Sequence, residues 1–175
     1  MKNINLQLFA EVVQGKQIVY LYRILSEAAT ENATQISFVT ENSFSKSKEA
    51  EATVTKDGTV RTPGAAEVEI TSTSLFAKGD TIIDKLEAAM DNNEILEIWK
   101  VNLAEPVEGQ DNKFKAKYYQ GYLNEFEETS SSEEAVEYSH TFGINGAGVS
   151  GEATVTAAQQ EMAAYVFADT QKTGA

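Results

Sequence analysis

From Phe114 to Ile144 the chain alternates side-chain character with a period of two, a pattern that suits paired strands and that a helix would scatter. Phe114, Ala116, Tyr118, Gln120, Tyr122, Asn124 and Phe126 share one face. After the turn Thr129-Ser-Ser-Ser132 the alternation resumes as Val136, Tyr138, His140, Phe142 and Ile144, which predicts an antiparallel hairpin. Residues 17–25 are rich in branched and aromatic side chains and carry apolar groups on both faces, as a covered central strand would. Residues 35–41 continue with Ile36, Phe38 and Thr40 on one side, and residues 66–76 return with Val68, Ile70 and Leu75. Residues 94–103 place Ile95, Glu97, Trp99, Val101 and Leu103 on one face and Leu96, Ile98 and Lys100 on the other, with Trp99 as a core or interface anchor.

Residues 43–64 interrupt this sheet. Two short alternating runs, Ala50–Thr55 and Thr59–Thr62, flank Lys56-Asp57-Gly58, and Asp-Gly between strand-like runs signals a hairpin. Beyond Phe44, Val54 and Val60 this arm offers little apolar side chain. A lone two-stranded ribbon is marginal in water, so the arm is expected to be mobile in the free chain and to become ordered on another surface, that of a second copy. Its candidate assembly residues are Lys46, Lys48, Val54, Thr55, Lys56, Asp57, Gly58, Arg61 and Pro63.

Two segments read as helices. Asp80 or Thr81 caps a stretch in which Ile82, Ile83, Leu86 and Met90 recur at helical spacing, and Asn92-Asn93 is the expected stop. Near the carboxyl end Thr156 and Gln159 match a capping box, followed by Met162, Tyr165 and Val166 on one side, with a loose tail after Asp169. The organisation is therefore an N-terminal arm at 1–16, one β domain at 17–168 that includes the hairpin arm 43–64, and a C-terminal tail at 169–175.

The chain of 175 residues is long enough for one hydrophobic core, and it has no cysteine, which removes disulfides, thiolate metal sites and thiol nucleophiles together. Lys2 and the apolar stretch Ile4–Ala10 fall short of a secretory core, and Ile18–Tyr22 is far below the roughly 20 residues that span a bilayer, so a soluble protein with no membrane partner is expected. The net charge of −13 opposes binding modes that neutralise phosphates, and excludes sequence-specific nucleic-acid binding as an expectation. The charge is unevenly spread. In residues 43–64, Lys46, Lys48, Lys56 and Arg61 outweigh Glu49, Glu51 and Asp57 to leave +1, against −14 for the remainder. Residues 125–137 hold Glu125, Glu127, Glu128, Glu133, Glu134 and Glu137 with no basic residue, so an acidic tip stands against a mildly basic arm, and the two either dock between copies or are both solvated faces.

Candidate chemistry does not assemble into a site. Gly146-Ala-Gly148-Val-Ser-Gly151 satisfies G-x-G-x-x-G, but Glu152–Thr156 follows where a phosphate-binding helix would have to start. The glycines are expected instead to turn the chain between the last strand and the final helix. His140 lies on the apolar face of its strand and reads as a buried or interface histidine, since no nucleophile or second imidazole accompanies it. The pairs Glu127-Glu128 and Glu133-Glu134 flank an exposed serine-rich turn, and Asp111-Asn112 lacks the spaced oxygen ligands of a calcium loop. No enzyme activity, cofactor or metal is expected.

Thr55-Lys56-Asp57-Gly58, Thr62-Pro63-Gly64, Ala77-Lys78-Gly79-Asp80, Leu96-Glu97-Ile98-Trp99, Tyr119-Gln120-Gly121-Tyr122 and Phe142-Gly-Ile-Asn-Gly146, in that order, resemble the major tail proteins of long-tailed phages of the TP901-1 type. The resemblance runs from about Gly15 to Lys172, and Met1–Gln14 extends before it. It implies a mainly β fold, two antiparallel sheets in a sandwich or barrel with a flanking helix, a protruding hairpin arm and a C-terminal helix. It also implies six-membered rings stacked into a tube that conducts DNA, in the virion after assembly in the host cytoplasm. The implied partners are the protein itself, the tape measure, the tail terminator and distal tail proteins. The acidic glutamates are expected on the surface or lumen. A secretion-system-like tube protein and a host- or carbohydrate-binding β-sandwich are the other readings.

Overall fold

The computed structural model describes residues 12–163. These form a 3-10 turn at Gly15–Gln17, strand β1 (Ile18–Ile24), a second 3-10 turn at Leu25–Glu27, β2 (Val39–Thr55), β3 (Gly58–Leu75), helix α1 (Thr81–Asp91), β4 (Leu96–Pro106), β5 (Lys113–Thr129), β6 (Glu137–Thr154) and the short helix α2 (Ala157–Ala163). The chain is mainly β, as expected.

Instead of two sheets, the six strands make one antiparallel sheet in the order β1-β4-β5-β6-β3-β2. The sheet curls on itself. Strands three places apart in a flat sheet would be about 14 Å from each other, yet Tyr22 of β1 stacks on Phe142 of β6 with ring centroids 5.1 Å apart. Phe44 of β2 likewise lies 5.7 Å from Tyr119 of β5. Irregularities in the long strands permit the bend. Asn124 is an extra residue of β5 between the pairs Leu123–Phe142 and Glu125–Thr141.

The concave face holds the main core, with Tyr20, Tyr22, Ile70, Leu96, Ile98 and Phe142 packed against α1. The helix buries Ile82, Ile83, Leu86 and Ala89, the stripe that its spacing predicts. It starts where Asp80 Oδ1 accepts the Ile82 N–H at 3.2 Å, and the other Asp80 oxygen accepts the Ser37 N–H at 2.9 Å, so one carboxylate caps the helix and anchors the β1–β2 connection. Asn93, at φ 54°, follows the helix in the left-handed conformation. On the convex face a smaller cluster gathers Val19, Leu21, Val101, Phe114, Ala153 and Val155, with Trp99 and Leu103 at its margin.

Four expectations change. β1 is an edge strand and not a central one. Its faces are buried by the concave core on one side and by the cluster around Val155 on the other, so burial of both faces does not imply pairing on both edges. Residues 35–38 are not strand: 35–36 are irregular and 37–38 form a turn before β2, with Phe38 at φ 48° and largely exposed, because the Tyr22–Thr34 bridge and the Asp80–Ser37 bond pin the chain there. Phe126 joins the concave core with Tyr119 and Leu123 and not the face of Phe114, since the extra residue Asn124 shifts the alternation by one. The G-x-G-x-x-G run lies inside β6. Residues 146–148 bulge opposite Tyr119, and Gly148, at φ 74°, leaves room for the Tyr119 ring, which a Cβ would meet at 2.3 Å.

The capping box at the start of α2 is present: Gln159 N–H donates to Thr156 Oγ1 and Thr156 N–H to Gln159 Oε1. The side chains from Met162 onward, Tyr165, Val166 and the tail after Asp169 fall outside the described part, as does the stretch Ile4–Ala10.

Candidate assembly surface

The arm is longer than the two short runs suggested. β2 and β3 pair continuously from the body to Thr55–Gly58, and every residue from Ser45 to Ala65 is exposed. At about 3.3 Å per residue the exposed hairpin projects roughly 30 Å. Phe44 does not belong to it. Its ring packs on the core and lies 4.7 Å from Lys100 Nζ. Beyond that root, Lys46, Lys48, Thr55, Lys56, Asp57, Gly58 and Arg61 are solvated, and Val54 is 82% exposed. Pro63 pairs with Ala50 beyond the end of the β3–β6 ladder, where its missing N–H breaks no bond to a third strand. The register slips between Lys48–Ala66 and Ala50–Pro63, which gives the arm an irregular root.

The glutamates occupy the other end of the same ladder. β3 runs from the arm tip to Leu75, which pairs with Glu137 of β6, and β6 in turn pairs with the end of β5 at Thr129. Glu125, Glu127 and Glu128 lie on the last turns of β5, with Glu133 and Glu134 in the exposed connection to β6. Arm and acidic tip therefore point in opposite directions along one strand axis. Glu128 accepts a hydrogen bond from Tyr138 at 3.0 Å.

Two polar groupings escaped the sequence reading. Glu97, 5% exposed, accepts Arg23 Nε and the Tyr118 hydroxyl, each at 2.7 Å, while the Arg23 guanidinium lies over Trp99. The available signal was a carboxylate alternating with Trp99 and Val101 on an apolar face. Lys100 lies near the rings of Tyr20 and Phe44, and burial with Lys117 nearby lowers its pKa from the ordinary lysine value.

His140 is fully buried between Phe126 and Phe142, and neither ring nitrogen has a hydrogen-bond partner. Ser72, its register partner on β3, and Tyr22, whose ring stacks on Phe142, are also buried with unpartnered hydroxyls. Burial pushes the His140 pKa below its ordinary value, with a backbone group of Ser72 opposing. Below about pH 6.5 the unfolded chain takes up a proton that the folded chain resists, so stability is intact above that pH and falls as pH drops toward the lower native value. Urea midpoints at pH 7.5 and 5.5 are expected to show this loss in the wild-type chain and much less of it in His140→Phe. Equal losses in both would exclude His140 as the cause.

Among the described residues no group of three or more His, Asp or Glu side chains could hold a metal, and no helix is long and apolar enough to cross a membrane. The Asn112 side chain and carbonyl receive Gln160 and the Val155 N–H, which tie the C-terminal segment to the sheet. The outstanding surfaces are a projecting hairpin and an acidic end.

A family model for phage tail tube proteins matches residues 12–150. A Staphylococcus phage phiMR25 chain described as a tail protein is 32% identical over 170 residues, covering 95% of this chain and 87% of that one. The fold is similar to that of the SPP1 tail tube subunit, with a TM-score of 0.68 at 21% identity over 94% of this chain and 95% of the other. It is also similar to a subunit of the tail of an empty gene transfer agent particle refined with C6 symmetry, with a TM-score of 0.55 at 13% identity over 83% and 100% of the two chains. The chain belongs to the phage tail tube protein family, a structural family and not an enzyme family.

Proposed function

We propose that copies of this chain join head to tail into stacked six-membered rings, forming the tail tube through which a long-tailed phage passes its genome. The observation that carries this reading is the placement of the mildly basic arm and the acidic tip at opposite ends of the β3–β6 ladder. Opposite ends suit heterologous contacts, which close a ring by rotation and build a filament by stacking. The C6 tail among the similar folds supports six subunits per ring. Acidic side chains along the bore would repel DNA phosphates and keep the passage from sticking. The tube would also meet a tape measure within it and terminator and distal tail proteins at its ends, after assembly in the host cytoplasm.

The charge pairing has a direct test. Raising salt from about 50 mM to about 500 mM shortens the screening length several-fold and is expected to raise the assembly threshold. The double change Lys48→Glu with Lys56→Glu should raise it about tenfold, the equivalent of about 1.4 kcal/mol. Adding Glu133→Lys with Glu134→Lys should recover part of the loss. Light scattering reads the threshold, and one insensitive to both salt and charge inversion would refute pairing of arm with tip.

A further inference from the structure

The curl of the sheet leaves its two outer edges facing each other across an open groove. Among the described residues β1 pairs with β4 and makes one bridge from Tyr22 to Thr34, and β2 pairs with β3 alone. The groove between them, about 880 Å³, is lined by Ile18 and Tyr20 of β1, by Val39, Asn42 and Phe44 of β2, and by Gln35 of the connection. Tyr22 exchanges both backbone hydrogen bonds with Thr34, each at 2.8 Å, on the side away from β4. The period of two turns the backbone N–H and carbonyl of Tyr20 to that same side. Two acceptors in the groove lining, Gln35 Oε1 and Asn42 Oδ1, are buried and without a hydrogen-bond partner. Apolar side chains, a free strand edge and orphaned acceptors are together what an added strand would satisfy.

The sequence contains a segment of that chemistry. Ile4, Leu6 and Leu8 alternate with Asn3, Asn5 and Gln7, so one face is aliphatic and the other carries amides. The tail tube family model begins at Val12, past this stretch. We propose that residues 3–10 of a second copy of this chain enter the groove between β1 and β2 as an added strand, an inference that rests on the tube reading above. Ile4, Leu6 and Leu8 then cover Ile18, Tyr20, Val39 and Phe44. Backbone and amide N–H groups reach Tyr20 and the Gln35 and Asn42 oxygens.

The exit of the chain favours a neighbour's groove over its own. Gln14–Gln17 form a turn in which Gln17 N–H donates to Gln14 O and Gln14 N–H to Gln17 Oε1, each at 2.9 Å. Beyond this turn Val12 is 86% exposed and Val13 42%, so neither side chain is buried against β1. An edge left open in the single subunit and closed by its neighbour also avoids indiscriminate edge pairing in the finished assembly.

With no cysteine in the chain, an engineered pair reports unambiguously. Full-length protein carrying Leu6→Cys and Thr40→Cys, oxidised after tubes have formed, is expected to give a reducible ladder of covalent multimers. A purely intramolecular product, or formed tubes without a cross-link, would overturn the strand exchange and leave the tube reading standing. Failure of the wild-type chain to form tubes would instead strike the tube reading. A second measurement needs no tubes: a synthetic peptide of residues 2–11 titrated into dilute full-length protein should shift the NMR amide signals of Tyr20, Val39 and Phe44. The same peptide with Leu6→Asp should bind at least tenfold more weakly. Absence of shifts at saturating peptide, or equal binding by both peptides, would overturn the proposal independently of the cross-link.

Discussion

Replacing Ser47–Glu67 by an Asn-Gly turn between the register partners Lys46 and Val68 is expected to give a chain that folds but makes no tubes. The replacement closes the hairpin with a two-residue connection matched to strand twist. From Ser47 to Ala65 every side chain removed is exposed, so the body loses little packing, and its unfolding free energy should change by no more than about 1 kcal/mol. Assembly, in contrast, loses the projecting hairpin and the cations Lys48, Lys56 and Arg61. Circular dichroism with urea unfolding reads the first outcome and electron microscopy the second. Tubes of normal length from the shortened chain would show that the arm does not drive polymerisation.

Gly121→Ala is expected to destabilise the subunit by about 3 kcal/mol or more, enough to prevent assembly by preventing folding. Gly121 sits in β5 between Leu96 of β4 and Ile144 of β6, and a Cβ there would lie 2.2 Å from the Gly143 carbonyl oxygen. That neighbour is backbone in the middle of the curl and cannot yield without disturbing two ladders. Gly143→Ala should cost less, because its Cβ would meet the Asn124 side-chain amide, which can move. Gly151→Ala meets nothing within 4 Å and should stay within about 0.5 kcal/mol of wild type. Urea unfolding of the three variants reads the ranking, and a harmless Gly121→Ala would contradict the tight approach of β5 to β6.

The alternation of Val136, Tyr138, Phe142 and Ile144 was legible because a strand buried on one face writes its period into the sequence, and the α1 stripe was legible for the same reason at helical spacing. What the sequence hid were shifts of register. Asn124 looks like any member of the β5 alternation, yet as an extra residue it sends Phe126 to the opposite face. The glycines at 146 and 148 look like a loop, although the ladder resumes beyond them at Val149. The edge position of β1 was hidden because Tyr20 and Leu21 are both buried, one on each face, and side chains do not report which backbone edge is paired. At the assembly surface the arm's polarity and the glutamate cluster could be counted in the sequence. Their separation to opposite ends of one ladder, and the groove where β1 faces β2, depend on pairing across distant segments.

Polymerisation of this subunit into a tube is open to direct observation. Negative-stain electron microscopy of the purified full-length chain, concentrated at low salt, tests it most directly. Hollow striated tubes built of stacked rings are the expected result. Dispersed subunits without rings or tubes, across a concentration series in which the protein stays folded, would contradict it.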